Sequence, residues 1–239
     1  MTTTLTPDDV LTTTRAVRRK LDLARPVAPG LIEECLAIAQ QAPSAGDGQD
    51  WGFVVVTAPA TKAALADLYR RAREEGSPKE EDPATGAFLA GLGAEKRAAF
   101  GRMMASADYL QDHLHEVPVL VVPTTGGRPR TPISLPGRGP TPRSWELEAA
   151  AWGSTAPAIW SFMLAARARG LGTVWTTIHL RYEEEAAAIL GIPYPAVAQA
   201  ALIPVGHVVG DPFKPAGRAP LATIVHWERW GRRASSLAS

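Results

Sequence analysis

The sequence predicts an α+β fold, a sandwich in which helices cover a mixed central sheet, and three observations carry the prediction. Apolar runs of strand length at 51–57, 117–122, 173–178 and 200–207 are separated by segments with helical spacing. The outermost segments are long and helical, which suits helices packed on a sheet. With 239 residues and 46% hydrophobic content the chain can bury one large core, and no Ser/Gly-rich or Pro-rich linker splits it into halves. Residues 1–239 are therefore expected to form a single domain.

Taken in order, Thr13-Thr14-Arg15-Ala16-Val17-Arg18-Arg19 puts Arg15 and Arg18 one helical turn apart, so that both guanidinium groups can reach one anion. Leu31, Ile32, Cys35, Leu36 and Ala39 then recur at helical spacing, with Glu33 and Glu34 on the opposite face. The loop 42–51 is rich in small and amide-bearing residues, with Gly46 or Gly48 able to supply a positive φ, and looks built to let a ligand approach backbone. A buried strand follows at 51–57, and a helix at 61–75 with Thr61 as cap and Ala64, Leu65, Leu68 and Tyr69 on its inner face. Residues 76–85 are polar and expected to be exposed, 88–114 show a weaker helical pattern, and the strand 117–122 is expected to end at Pro123.

Residues 124–144 carry Pro at 129, 132, 136, 140 and 142 and Gly at 126, 127, 137 and 139, which excludes a regular helix or central strand. So long a loop is either a binding element or disordered. A helix is expected from 145 to 151, then a second one capped by Ser154 or Thr155, with Pro157 in its first turn and Gly170 and Gly172 as its stop. A third strand at 173–178, a short helix at 181–190 and a fourth strand at 200–207 complete the pattern.

The charge balance, 25 basic against 24 acidic residues, gives no electrostatic reason to expect a nucleic acid or a membrane surface as partner. Arg128, Arg130, Arg138 and Arg143 form a local basic run spaced by Pro and Gly, suited to a surface loop that meets an anionic substrate. Cys35 lies on an apolar helix stripe and reads as a packed hydrophobe; a single cysteine allows no disulfide within the chain. No basic-then-apolar leader and no apolar run of about 18 residues occurs, so a cytoplasmic location is expected. Histidines 113, 115, 179, 207 and 226 make no metal-ligand spacing, and no nucleophile elbow or phosphate-binding Gly/Lys loop is present. Gly91-Leu92-Gly93 and Gly170-Leu171-Gly172 begin a dinucleotide-like pattern, but Lys96 and Trp175 stand where its third glycine belongs. No catalytic side chain is visible.

The order of these segments nevertheless resembles the FMN-dependent nitroreductase family. The resemblance rests on Arg15-Ala16-Val17-Arg18, on Ala42-Pro43-Ser44-Ala45-Gly46-Asp47-Gly48-Gln49 before Trp51 and its strand, on Gly170-Leu171-Gly172-Thr173-Val174-Trp175-Thr176-Thr177, and on Ile203-Pro204-Val205-Gly206-His207 followed by Lys214-x-x-x-Arg218-x-Pro220-Leu221. It implies an intertwined homodimer with two FMN sites at the subunit interface, in which the C-terminal extension 222–239 crosses to the partner and adds a strand. It further implies that Arg15, Arg218 and Lys214 serve the FMN phosphate and that Arg18 reaches the ribityl chain or the pyrimidine edge. Pro43, Ser44, Ala45, Asp47 and Gln49 would approach the flavin rim from the partner subunit, with Trp175, Thr176, Thr177 and Gly206 beside the isoalloxazine. The 124–144 loop would be a substrate-facing lid.

Three positions depart from the family's pattern. Ala16 stands where Ser is usual and removes a hydroxyl worth about 1 kcal/mol of hydrogen bonding. Asp47 replaces an Asn, and an ionised carboxylate cannot donate to a flavin atom as an amide can. Asp50 stands where Pro or Gly is usual. The implied activity is ping-pong transfer of reducing equivalents from NADH or NADPH, through FMN, to a small aromatic acceptor such as a nitroaromatic or quinone. A flavin-dependent dehydrogenase or oxidase of a biosynthetic pathway, and a flavin-binding protein without turnover, are the alternatives.

Overall fold

The computed structural model describes residues 5–76, 82–127, 133–134, 140–141, 145–211 and 213–233. The helices are α1 (Pro7–Thr13), α2 (Pro29–Ala39), α3 (Pro59–Gly76), α4 (Pro83–Ala90), α5 (Ala94–His113), α6 (Trp145–Ala168) and α7 (Glu183–Leu190). The strands are β1 (Trp51–Val56), β2 (Val119–Gly126), β3 (Ile133–Ser134), β4 (Pro140–Thr141), β5 (Leu171–Thr173), β6 (Val197–Gln199) and β7 (Ile203–His207). Strands β1, β2, β7 and β5 lie side by side in that order, β6 continues along β2, and β3 pairs only with β4.

Every ladder is antiparallel among the described residues, so the expected mixed character reduces to one parallel bridge, Ala16 to Thr173. The central strand β2 explains the two-sided core. Its alternation sends Val119 and Val121 into a cluster with Ile32, Cys35, Ile159 and Phe162 from α2 and α6, and Leu120 and Val122 into a second cluster with Leu65, Leu68 and Tyr69 of α3. A strand buried on both faces reads as an unbroken apolar run, as this one does. Of the expected stripe on α2, Ile32, Cys35 and Ala39 are buried, and burial pushes the Cys35 thiol up to about 11. No described helix is long and apolar enough to cross a membrane.

Several boundaries differ from expectation, each for a local reason. Strand β2 runs through Pro123 because its pairing partner changes there: β7 pairs with 119–121 and β6 with 124–126, so little ladder bonding is lost at the proline. Ala200 N–H still donates to the Pro123 carbonyl. Helix α3 begins at Pro59, with Lys62 N–H bonded to the Ala58 carbonyl, so Thr61 is not its cap. The weak pattern at 88–114 is two helices separated at Gly91.

Ser154 and Thr155 do not cap a new helix, because α6 is continuous with Pro157 inside it. The Ser154 hydroxyl instead donates to the Ala150 carbonyl and accepts from Ala45 N–H. The third strand stops at Thr173, Thr176 keeps only a bridge to Leu202, and a 3₁₀ turn at Ile178–Tyr182 precedes α7. The fourth strand divides into β6 and β7. The tail forms no strand among the described residues: after a 3₁₀ turn at Leu221–Thr223 it closes on itself, with His226 stacked on Trp230 at 4.0 Å. Most of the 124–144 loop, with Arg128, Arg130, Arg138 and Arg143, lies outside the described residues.

Candidate functional site

The basic segment near the N-terminus is extended where a helical turn was expected. Helix α1 ends at a Thr14 C-cap of extended conformation, and the chain then runs beside β5, where Val17 N–H donates to the Thr173 carbonyl at 2.9 Å. Close packing fixes this path. A Cβ on Gly172 would stand 3.0 Å or less from Val208 Cγ2, Leu21 Cδ2 and Val17 Cβ, so only glycine lets the segment lie so near the strand. Val17 and Leu21 are buried by that contact, while Arg15 and Arg18 flank Val17 and reach a common cleft.

That cleft measures about 680 Å³. Arg15, Ala16 and Arg18 line it from the N-terminal segment, and Ala216 and Arg218 from the C-terminal one. Trp160 and Met163 of α6 and Trp175 after β5 supply apolar walls, and α5 contributes Arg102 and Met103. Among the described residues, no carboxylate belongs to the lining. Arg18 is half-buried and forms no ion pair among the described residues; burial, reinforced by the nearby Arg73 cation, disfavours its charge although Tyr69 offsets part of the cost. A guanidinium held there has a physical call for an anion.

The other expected residues separate into distinct places. Pro43, Ser44, Ala45, Asp47 and Gln49 do not line the basic cleft; Ala45, Gln49 and Asp50 border a smaller one of about 220 Å³, against Leu147, Ala151 and Ser154 of α6. Both clefts border α6, the smaller through Ser154 and Thr155 and the basic one through Trp160 and Met163, so their nearest walls lie about 7.5 Å apart along one helix. Gly46, Asp47 and Gln49 have φ of 59°, 54° and 49°. Positive φ at two non-glycine residues costs free energy and persists only where surroundings impose it. Here Ser44 Oγ accepts from Gln49 N–H at 3.2 Å, and the Asp47 carboxylate accepts from Gln49 Nε2 at 2.8 Å.

Thr176 pairs with Leu202 and its hydroxyl lies 3.3 Å from that of Tyr69, while the Thr177 carbonyl accepts from Leu180 N–H. Neither lines the basic cleft. Gly206 lies in β7, outside the cleft lining, where a Cβ would meet Pro118, Asp22 and Leu21 at ordinary contact distances of 3.4 to 3.7 Å. Lys214 is exposed and outside the lining.

A model of the nitroreductase family matches residues 11–207. This chain belongs to the nitroreductase family. A NADH dehydrogenase of Thermus thermophilus is 30% identical over 213 residues, which cover 84% of this chain and 87% of that protein. Among solved structures, the FMN and NADPH-dependent nitroreductase NfnB from a Sphigopyxis strain has a TM-score of 0.63 at 22% identity, covering 95% of this chain and 100% of that one. Iodotyrosine deiodinase bound to FMN and 3-iodo-L-tyrosine has a TM-score of 0.63 at 19% identity, covering 93% and 98%. The fold is nitroreductase-like, and the chain is an oxidoreductase at the level its family defines.

Within this nitroreductase-family chain the sequence reading missed the α5 wall of the cleft. Ala99, Arg102, Met103 and Ser106 recur at i, i+3, i+4 and i+7, which is one helix face. The signal was present as a second stripe, apart from the buried Ala107 and Leu110. Trp160, 38% exposed on an otherwise buried stretch of α6, was the other available sign.

Proposed function

We propose that this chain is an FMN-dependent oxidoreductase that accepts electrons from NADH or NADPH and passes them, in a ping-pong cycle, to a small aromatic acceptor such as a nitroaromatic or a quinone. The observation that carries the reading is the convergence of Arg15, Arg18 and Arg218 on a cleft without a carboxylate. A phosphate monoester brings about two negative charges and rewards guanidinium groups arriving from separate elements. Arg15 and Arg218, with Lys214 nearby in sequence, hold the phosphate; the half-buried Arg18 faces the ribityl or pyrimidine end and opposes negative charge gained there on reduction.

Trp160, Met163 and Trp175 give apolar and aromatic surface to a planar ring system and keep water from it. FMN, when bound, supplies the acceptance and release of electron pairs that no side chain of the cleft can perform. The protein's contribution is binding, orientation and charge.

The loop 43–49 completes the site from a second copy, because in its own chain it lies at the other cleft. Exposed apolar residues support a homodimer: Trp145, Ile224 and Trp230 are 83%, 65% and 91% accessible in the single chain. The tail from 222 onward crosses to that copy, and the 124–144 loop serves as a lid over the acceptor.

A visible absorption spectrum of the purified protein, followed by anaerobic addition of NADPH or NADH, tests the reading. A yellow protein bleached by either nucleotide and recoloured by a quinone is expected. A colourless protein that takes up no added FMN overturns it, and a yellow protein that neither nucleotide bleaches removes the nicotinamide half-reaction.

A further inference from the structure

We propose that Arg167, outside the basic cleft, is a positioning residue that clamps the two ends of the chain together so that arginines from both ends meet one phosphate; this rests on the FMN reading above. Arg167 sits at the C-terminal end of α6. Its Nη2 donates to Thr13 Oγ1 at 3.3 Å, and its guanidinium carbon lies 3.6 Å from the centroid of the Phe213 ring. Thr13 is two residues before Arg15, and Phe213 is five before Arg218. One side chain thus touches both segments that deliver cations to the cleft. Among the described residues no backbone hydrogen bond joins 5–15 to 213–218 directly.

The arrangement is specific to arginine. A planar group can lie flat on a ring while one nitrogen donates sideways, and an ammonium cannot do both. The cost is visible: Nε is buried without a hydrogen-bond partner. Burial disfavours the guanidinium's charge and lowers its pKa, and the nearby Asp211 and Asp9 carboxylates offset part of that. Asp211 also shapes the segment, since its Oδ1 accepts from Phe213 N–H at 3.2 Å and turns the ring toward Arg167.

Because the clamp acts on the phosphate end, its loss must distinguish two flavins. Riboflavin carries the same ring and ribityl chain as FMN and lacks only the phosphate. The full-length protein, stripped of flavin, is titrated with FMN and with riboflavin for the native chain and for Arg167→Met, Phe213→Leu and Phe213→Trp. Arg167→Met and Phe213→Leu are expected to weaken FMN by about tenfold or more and riboflavin by less than about threefold. Phe213→Trp, which keeps an aromatic face, is expected to stay within about threefold of the native chain for both. If Arg167→Met does not fold, Phe213→Leu decides alone. Equal losses for both flavins, or no loss for either, overturn the clamp. A native chain that fails to bind FMN, or does not prefer it to riboflavin, overturns the phosphate reading itself, a result seen without any variant.

Discussion

The basic cleft and the 42–51 loop face their surroundings in opposite ways. Among the described residues, Arg15, Arg18, Arg102 and Arg218 line the cleft without one carboxylate. The loop satisfies itself, with Asp47 held by Gln49, Gln49 N–H by Ser44, and Ala45 N–H by Ser154. The half-buried Arg18, whose charge burial disfavours, gains most when an anion arrives. Free energy stored as left-handed backbone at Asp47 and Gln49 keeps a loop in one shape. One region is thus built to receive a ligand and the other to be presented to one. On the proposed reading, the cleft and the loop that serve one flavin come from two chains, and that step can be tested directly.

The largest effect should come from testing that last step. In an Arg218→Glu chain the phosphate meets a repelling carboxylate, and about 2 to 5 kcal/mol of FMN affinity is lost. In a Gly46→Val, Gln49→Pro chain the left-handed turn cannot form, since Val is strained at positive φ and Pro is confined to negative φ. Each homodimer should purify nearly colourless. A heterodimer of the two places both defects in one site and leaves the other intact, so half the flavin should return. If each site lay within one chain, the heterodimer would carry none.

What could be read from the sequence follows the same division. Elements with strong periodicity and their own core contacts, such as α2, β1 and α3, appear close to their expected positions. Of the basic residues named at both termini, Arg15, Arg18 and Arg218 line one cleft, although the helical turn expected to unite Arg15 and Arg18 is absent. Their convergence comes from Gly172 and a bridge between Ala16 and Thr173 of β5, a contact between distant parts of the chain that no local pattern encodes. Pro123 and Pro157 misled for a related reason. Pro123 was read as a strand end and Pro157 as the first turn of a new helix, yet a change of strand partner and the packing of a long helix against α2 override local propensity. Arg102 went unseen because an exposed arginine on a helix carries no sign of what faces it.

The contrast extends to a buried neutral group elsewhere in the chain. His179 is fully buried, neither ring nitrogen reaches a hydrogen-bond partner, and burial pushes its pKa down to about 4, with the Gln199 side chain offsetting only part of that. The unfolded chain titrates near 6.5, so it takes up a proton that the folded chain refuses as pH falls from 6.5 toward 4. Stability is therefore complete above pH 6.5 and declines below it, by about 2 kcal/mol at pH 5 from this residue. His179→Leu removes that term. Urea unfolding at pH 7.5 and pH 5 should show native stability falling by about 2 kcal/mol more than the variant's. Equal falls would mean that the imidazole is relieved by a partner.

The smallest effect concerns Asp47, where the self-satisfied loop would touch the flavin. Its carboxylate is exposed and held by Gln49, so it has a role in the turn whether or not a partner's flavin lies near. Asn tolerates left-handed φ and keeps an acceptor for Gln49, so Asp47→Asn should change stability by no more than about 0.5 kcal/mol. Charge is the property it removes. A carboxylate about 4 Å from the pyrimidine edge in high dielectric opposes reduction by about 1 kcal/mol, equivalent to about 20 mV for a two-electron couple. The variant's bound flavin should therefore have a midpoint potential higher by roughly that amount, with faster bleaching by NADPH or NADH. Both quantities are read by anaerobic titration against a reference dye and by stopped flow. An unchanged potential would confine Asp47 to holding the turn, and the loop would then act on the flavin through its backbone and Gln49 alone.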